Sequence, residues 1–246
     1  MIIFYKMQAL GNDFIVIDCT KESPKYNFSI LSKFLCDRHF GVGGDGVIYF
    51  YKSKLADIRM RIFNSDGTEA EMCGNGIRCT CKFIYDNNLS KKDTLTIETL
   101  GGIKTIKLNI ENNQVKSATV NMGMPILDPT LIPVKSEENP VKNLKLNILD
   151  KEFTFTCVSM GNPHAITFVK DLDNFDIQKY GKEIEKHDVF PNKTNVEFVE
   201  IIDKQNVKMR VWERGAGETM ACGTGSSATC VACSLYGLTE RKINGF

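Results

Sequence analysis

Short runs enriched in β-branched and aromatic residues recur along the chain and predict strands. In the first half they fall at about 2–7, 14–18, 46–51, 58–63, 94–99, 103–110 and 114–122. The run from Ile103 to Ile110 follows a Gly101-Gly102 turn signal. Two helices are predicted there: 29–37, with Ser29 as its N-cap, and 75–87, which starts at the glycine-rich Cys73-Gly-Asn-Gly76. The second half predicts strands near 153–159, 165–169, 196–202 and 207–212, and helices near 176–186 and 225–236. Four of the seven prolines crowd into 125–140 beside Lys135-Ser-Glu-Glu-Asn139, which makes that stretch the best candidate linker.

The two halves repeat each other. Residues 60–76 laid over 209–225 give six identities in 17 positions, including Met60/Met209, Arg61/Arg210, Glu69/Glu218 and Cys73/Cys222, at an offset of 149. Leu10-Gly-Asn12 matches Met160-Gly-Asn162 at 150, and Gly46-Val47 matches Asn195-Val196 at 149. The chain therefore reads as a duplication, with domains at 1–122 and 123–246. Carried forward by the same offset, the first copy's hairpin at 94–110 would begin again near residue 243, so the second copy is expected to be short at its C-terminus.

Composition narrows the class. A chain of 246 residues can bury a real core without staples, and 42% apolar with 25% charged residues is ordinary globular composition. A net charge of +1 argues against a nucleic-acid partner. No apolar stretch approaches a membrane span, and the N-terminus lacks the ordering of a signal peptide. Nine cysteines, an odd count, then read as free thiols in a reducing cytoplasm. Most are expected to be small buried hydrophobes; this holds for Cys19, Cys36, Cys157, Cys79-Thr-Cys81 and Cys230-Val-Ala-Cys233, which have no second pair at zinc spacing.

Cys73 and Cys222 differ from the rest. Each stands where a strand passes through a glycine-rich loop into a helix, so its sulfur meets unpaired N–H groups and the positive end of the helix dipole. That placement is expected to lower the thiol pKa and to form an anion site for a carboxylate. A pseudo-twofold pair of domains would set the two sulfurs on opposite sides of one cleft. One, as thiolate, would remove an α-proton from one face of a carbon while the other, as thiol, returns a proton to the opposite face. No motif for a metal or a cofactor accompanies them. Glu213-Arg214 leads from strand 207–212 into the loop before Cys222 and is expected to face the cleft, as is its repeat partner Asn64. Gly41-Val-Gly-Gly-Asp-Gly46 reads as a turn before a strand, with substrate contact possible, and His39 and His187 as surface or core residues. A cysteine hydrolase pairing one thiol with His164 is the competing enzyme class, and a non-catalytic binding module is the other alternative.

The sequence resembles the diaminopimelate epimerase family. The resemblance rests on Gly11-Asn-Asp-Phe14, Arg61-Ile-Phe-Asn-Ser-Asp-Gly67, Cys73-Gly-Asn-Gly-Ile-Arg-Cys79, Met160-Gly-Asn-Pro-His164, Glu213-Arg-Gly-Ala-Gly-Glu218 and Ala221-Cys-Gly-Thr-Gly225, in family order across nearly the whole chain. It implies an α+β fold of two pseudo-symmetric domains, each a mostly antiparallel sheet wrapped around a central helix, assembled as a homodimer and working without a cofactor. It further implies Cys73 and Cys222 as catalytic bases, with His164 and Glu213 supporting them. Backbone at Gly74-Asn75 and Gly223-Thr224 would hold the reacting carboxylate of a small amino-acid substrate, and Asn12, Asn64, Asn162, Asn195, Glu213 and Arg214 the rest. Gly46 stands where many members carry a substrate-contacting glutamine, and Thr224 where serine is more frequent. Lanthionine, histidine or hydroxyproline remain alternative substrates for the same plan.

Overall fold

The computed structural model describes residues 2–22 and 24–246, in two compact units, Met1–Gly123 and Met124–Phe246. The first runs β1 (Tyr5–Ala9), β2 (Asn12–Asp18), α1 (Phe28–Cys36), β3 (Gly46–Tyr51), β4 (Ile58–Asn64), β5 (Glu69–Ala70), α2 (Gly74–Asp86), β6 (Thr94–Thr99), β7 (Gly102–Glu111) and β8 (Gln114–Val120). Its sheet has the order β1-β2-β3-β4-β6-β7-β8, with β5 on β4. Among the described residues, only β2–β3 and β4–β6 pair in parallel in this sheet. Helix α2 touches β1 and β8, the two ends of that order, as well as β2, β3, β4 and β7, so the sheet curls around it. An enclosed helix keeps only a narrow polar stripe: α2 buries ten of its 13 residues, and the other three, Arg78, Lys82 and Asp86, line up four apart on one face. It fits because small Gly, Cys and Thr side chains alternate with Ile77, Phe83 and Ile84. Outside the curl, α1 covers Ile15, Val47, Tyr49 and Phe63.

The second unit runs β9 (Leu144–Ile148), β10 (Lys151–Ser159), β11 (Pro163–Phe168), α3 (Ile177–Glu185), β12 (Asn195–Ile201), β13 (Asn206–Glu213), β14 (Gly217–Thr219), α4 (Gly223–Leu235) and β15 (Asn244–Gly245). Its sheet order is β14-β13-β12-β11-β10-β9, and α4 lies on β10, β11 and β12. The larger core is on the α3 side, where Phe153, Phe175, Tyr180 and Phe198 pack ring against ring at 5.1–6.4 Å.

The repeat predicted from sequence extends to register. Phe14 faces Gly46 as His164 faces Asn195, both in parallel pairs joined by a helical crossover. Val47 faces Phe63 as Val196 faces Trp212, and Ile62 faces Ala70 as Val211 faces Thr219. Side chains repeat too. Arg61 Nε donates to Glu69 at 2.6 Å and Arg210 Nε to Glu218 at 2.8 Å, while Thr80 and Thr229 hydroxyls meet the sulfurs of Met60 and Met209. Near residue 243, where the second hairpin is expected, β15 pairs in parallel with β13 as β6 pairs with β4.

Three expectations need correction. The N-cap of α1 is Asn27, whose side chain accepts from Ile30 N, and not Ser29, which lies inside the helix. Asn is as good a cap as Ser, and Asn27 is the residue with extended backbone. The proline-rich stretch 125–140 is not a free linker: Ile132, Val134 and the following Val141 are buried in the core beside β10 and α3, and Ile126 bridges to Ser159. The prolines remove backbone donors while the intervening aliphatic residues still find a core. Strand β9 was missed because its Leu-Lys-Leu-Asn-Ile alternation follows directly on that stretch.

Candidate active site

Each candidate cysteine is the N-cap of its enclosed or sheet-packed helix. Cys73 (φ −140°, ψ 115°) and Cys222 (φ −126°, ψ 114°) share one extended geometry. Their sulfurs accept from the backbone N–H of Gly76 and Gly225 at 3.4 and 3.3 Å. A capping side chain normally offers oxygen to this position; here it is sulfur in both copies. The glycine three residues on is required by space. A Cβ at 76 would lie 3.1 Å from the methyl ends of Ile48 and Ile62, and one at 225 would lie 2.6 Å from a Glu197 carboxylate oxygen.

In the first unit, the structure gathers Asn12 and Asn75 beside the start of α2. Asn75 Nδ2 donates to Asn12 Oδ1 at 3.2 Å, and Arg78 donates to Asn75 Oδ1. Asn12 Nδ2 donates in turn to Asp45 at 2.7 Å. Asp45 and Asp13 are tied together by Arg38 at 2.8–2.9 Å, and Lys6 sits 2.7 Å from Asp13. Burial would raise the Asp13 carboxyl, but hydrogen bonds from Arg38 and Lys6 outweigh it and hold the group well below the usual carboxylate range. The turn Gly41–Gly46 thus supplies, through Asp45, the anchor for Asn12, a role its glycine pattern does not reveal. Asn64 ends β4 opposite Gly46 and donates to Thr68.

In the second unit, the gathering is denser. His164, fully buried, lies with Nδ1 2.7 Å from Glu197 Oε1 and Nε2 3.0 Å from Asn162 Oδ1. Asn162 Nδ2 reaches Thr224 Oγ1, and that hydroxyl lies 3.3 Å from Cys222 Sγ. Glu213, at the end of β13, accepts from the Thr219 hydroxyl. Asn195 ties the loop ends together, donating to the Pro163 carbonyl and accepting from Arg214 N. The guanidinium of Arg214 reaches the carbonyl of Asn192. Gly223 opens α4 just after the cap.

The electrostatics of Cys222 run against the lowered pKa expected from a helix N-terminus. Burial, then the neighbouring carboxylates Glu213 and Glu197, push its thiol up, and the Thr224 and Gly225 donors offset only part of this. Burial likewise raises the Glu213 carboxyl. Burial alone or nearly so raises Cys36 and Cys79 to about 11 and Cys81 to about 12, in keeping with inert core thiols. Of the Cys230–Cys233 pair only Cys233 is buried; Cys230 meets the Arg241 carbonyl. Among the described residues, no cluster of His, Cys, Asp and Glu has the arrangement of a metal site, and no helix is long and apolar enough to cross a membrane.

One buried group escaped the sequence reading. Glu197 is completely buried, and among the described residues its Oε2 has no hydrogen-bond partner. At offset 149 it falls on Ile48, an inward apolar position, and at offset 150 His164 falls on Phe14; those two mismatches were the available signal.

Known proteins resemble this chain in sequence and in fold. The diaminopimelate epimerase family model matches residues 4–127 and 156–244. A diaminopimelate epimerase of Methanococcus maripaludis is 54% identical over 239 residues, 97% of this chain and 86% of that protein. One of Acetivibrio thermocellus is 50% identical, over 97% and 85%. Among solved structures, a hydroxyproline epimerase from Agrobacterium vitis, with bound trans-4-hydroxy-L-proline, shares the fold at a TM-score of 0.72 and 14% identity, over 96% of this chain and 78% of that one. The α+β architecture of curled sheets is shared with these proteins, and the chain belongs to the diaminopimelate epimerase family.

Proposed function

We propose that this protein interconverts LL- and meso-diaminopimelate by a two-base reaction in which Cys73 and Cys222 are the catalytic residues. The carrying observation is that family membership at 50–54% identity coincides with two thiols in one repeated helix-capping geometry. In one direction a thiolate takes the α-proton, leaving a carbanion delocalised into the carboxylate. The other thiol then delivers its proton to the opposite side of that carbon, so the chemistry closes with thiol and thiolate exchanged. The N–H groups at Gly74-Asn75 and Gly223-Thr224, at helix N-termini, suit the carboxylate whose charge grows in the transition state. Asn12, Asn64, Asn162, Asn195, Glu213 and Arg214 would hold the remainder of this small amino acid, and His164 and Glu213 support the thiols. The reaction balances without metal or cofactor, so none is assigned. Nine free thiols fit a reducing cytoplasm, and a homodimer is the assembly expected for the family.

The test is deuterium incorporation from D₂O at the α-carbon of diaminopimelate, with lanthionine and histidine alongside. Rapid wash-in for diaminopimelate with inversion is the expected result. A covalent thioester on either cysteine would favour the hydrolase class instead, and absence of wash-in a hydrolase or a non-catalytic binding module.

A further inference from the structure

We infer that Glu197 is a positioning residue for the proposed epimerisation, acting through His164 and Asn162 to aim the Thr224 hydroxyl as a donor at the Cys222 sulfur. The inference rests on the reading of Cys222 as a working thiol. Glu197 reaches His164 from β12, and neither side chain is exposed to solvent. A buried carboxylate beside a neutral imidazole would be an uncompensated charge, which is strongly unfavourable. The pair therefore carries one further proton: Nδ1 and Oε1 share one hydrogen across their 2.7 Å contact, and Nε2 holds another. Nε2–H donates to Asn162 Oδ1 at 3.0 Å, an atom that can only accept. Its amide orientation is thereby fixed, and Nδ2, which can only donate, points at Thr224 Oγ1 at 3.3 Å. With its oxygen accepting from Asn162, the Thr224 hydroxyl turns its single hydrogen to Cys222 Sγ, 3.3 Å away. A donor at that place favours the thiolate against burial and against Glu213 and Glu197, the carboxylates that face it.

The first unit supplies the contrast. Phe14 and Ile48 occupy the places of His164 and Glu197, Asn75 that of Thr224, and Asn12 is gripped by its other end, Nδ2 on Asp45, so that it presents oxygen to Asn75. The two repeat asparagines thus offer opposite polarity to the helix that follows each cysteine. Both nitrogens of His164 are committed, which makes it a support for Asn162 and not a base for the substrate.

The experiment places Glu197→Leu and Glu197→Gln in Cys73→Ser and in Cys222→Ser proteins, and follows α-deuterium exchange at saturating diaminopimelate. In the Cys73→Ser background, where Cys222 works, Leu should slow exchange about tenfold or more, the scale of a hydrogen bond to a charged group. Gln should recover most of it, because its amide can donate to Nδ1 and keep the hydrogen at Nε2. In the Cys222→Ser background both variants should exchange at the background's own rate. Equal slowing in both backgrounds would overturn the inference and make Glu197 a structural support. No exchange by the parent protein would instead fail the epimerase reading itself. A second measurement needs no turnover: iodoacetamide labelling of Cys222 against pH, read on its peptide. Thr224→Val, which removes the donor and leaves both carboxylates in place, should raise the midpoint by about one pH unit; an unmoved midpoint overturns the proposal.

Discussion

A sulfur atom at the first turn of a helix is pulled two ways. The helix N-terminus favours the thiolate, while burial among carboxylates opposes it, and at Cys222 burial and the carboxylates prevail. The resting thiol is thus a better proton donor in waiting than a standing base, which suits a residue that must serve as acid in one direction and base in the other. Cys73→Ser and Cys222→Ser should each lower epimerisation by about 10³-fold or more, the range of a lost acid–base group, as followed by optical rotation. Retained turnover in either would end the two-base scheme. At Asp13 the balance tips the other way, with Arg38 and Lys6 holding its carboxyl low despite burial. A depressed carboxyl contributes stability above its unfolded pKa of about 3.9 and loses it as the pH falls toward the folded value. Asp13→Asn should therefore cost about 1 kcal/mol at pH 7, since Arg38 is more than half exposed, and the gap to the parent should close at acid pH in denaturant titrations.

Among the elements, α3 shows how closely the crossover helix is fitted. A Cβ on Gly181 would lie 2.7 Å from Trp212 Cβ and Cγ, and the indole is held by its Nε1–H on Glu185 at 2.8 Å. Gly181→Ala should destabilise the second unit by about 1–3 kcal/mol in thermal or urea unfolding, and an unchanged transition would show that the ring can move aside. The long strands and all four helices are legible in the sequence, because β-branched runs and glycine-bounded helix starts announce themselves. The pairs β5 and β14 are not, since strands of two and three residues carry no period. Within the candidate site, Cys73, Cys222, Asn12, Asn162 and Asn64 were legible from repetition, and Asn75 and Asn195 from the family resemblance. Glu197 was not: in Asn195-Val-Glu-Phe-Val-Glu-Ile201 an acidic residue reads as the outward face, yet this one points inward. Asp45 hid for a different reason, since its neighbours' glycines describe only a turn and its work is done on a residue 33 positions away.

At the level of the whole molecule, one plan occurs twice, with the same strand pairings and the same sulfur caps. Because Phe14 and Ile48 fill the places that His164 and Glu197 hold, the frame evidently accepts either an apolar or a proton-sharing pair there. The double variant His164→Phe/Glu197→Ile should fold with a melting temperature at or above the parent's, as buried ion pairs replaced by packed hydrophobes often do, while epimerisation falls sharply. His164→Phe alone should be the less stable protein, because it strands Glu197 without its partner. A double variant less stable than that single one would contradict the equivalence of the two places.

That shared register also supplies an experimental resource. Inward positions on β2 to β5 have counterparts on β11 to β14 held in the same register, so each of those residues arrives with a built-in control. A substitution copied from one half to the other asks what a side chain does when almost nothing else about its surroundings has been altered, a comparison that unduplicated enzymes do not offer within a single chain.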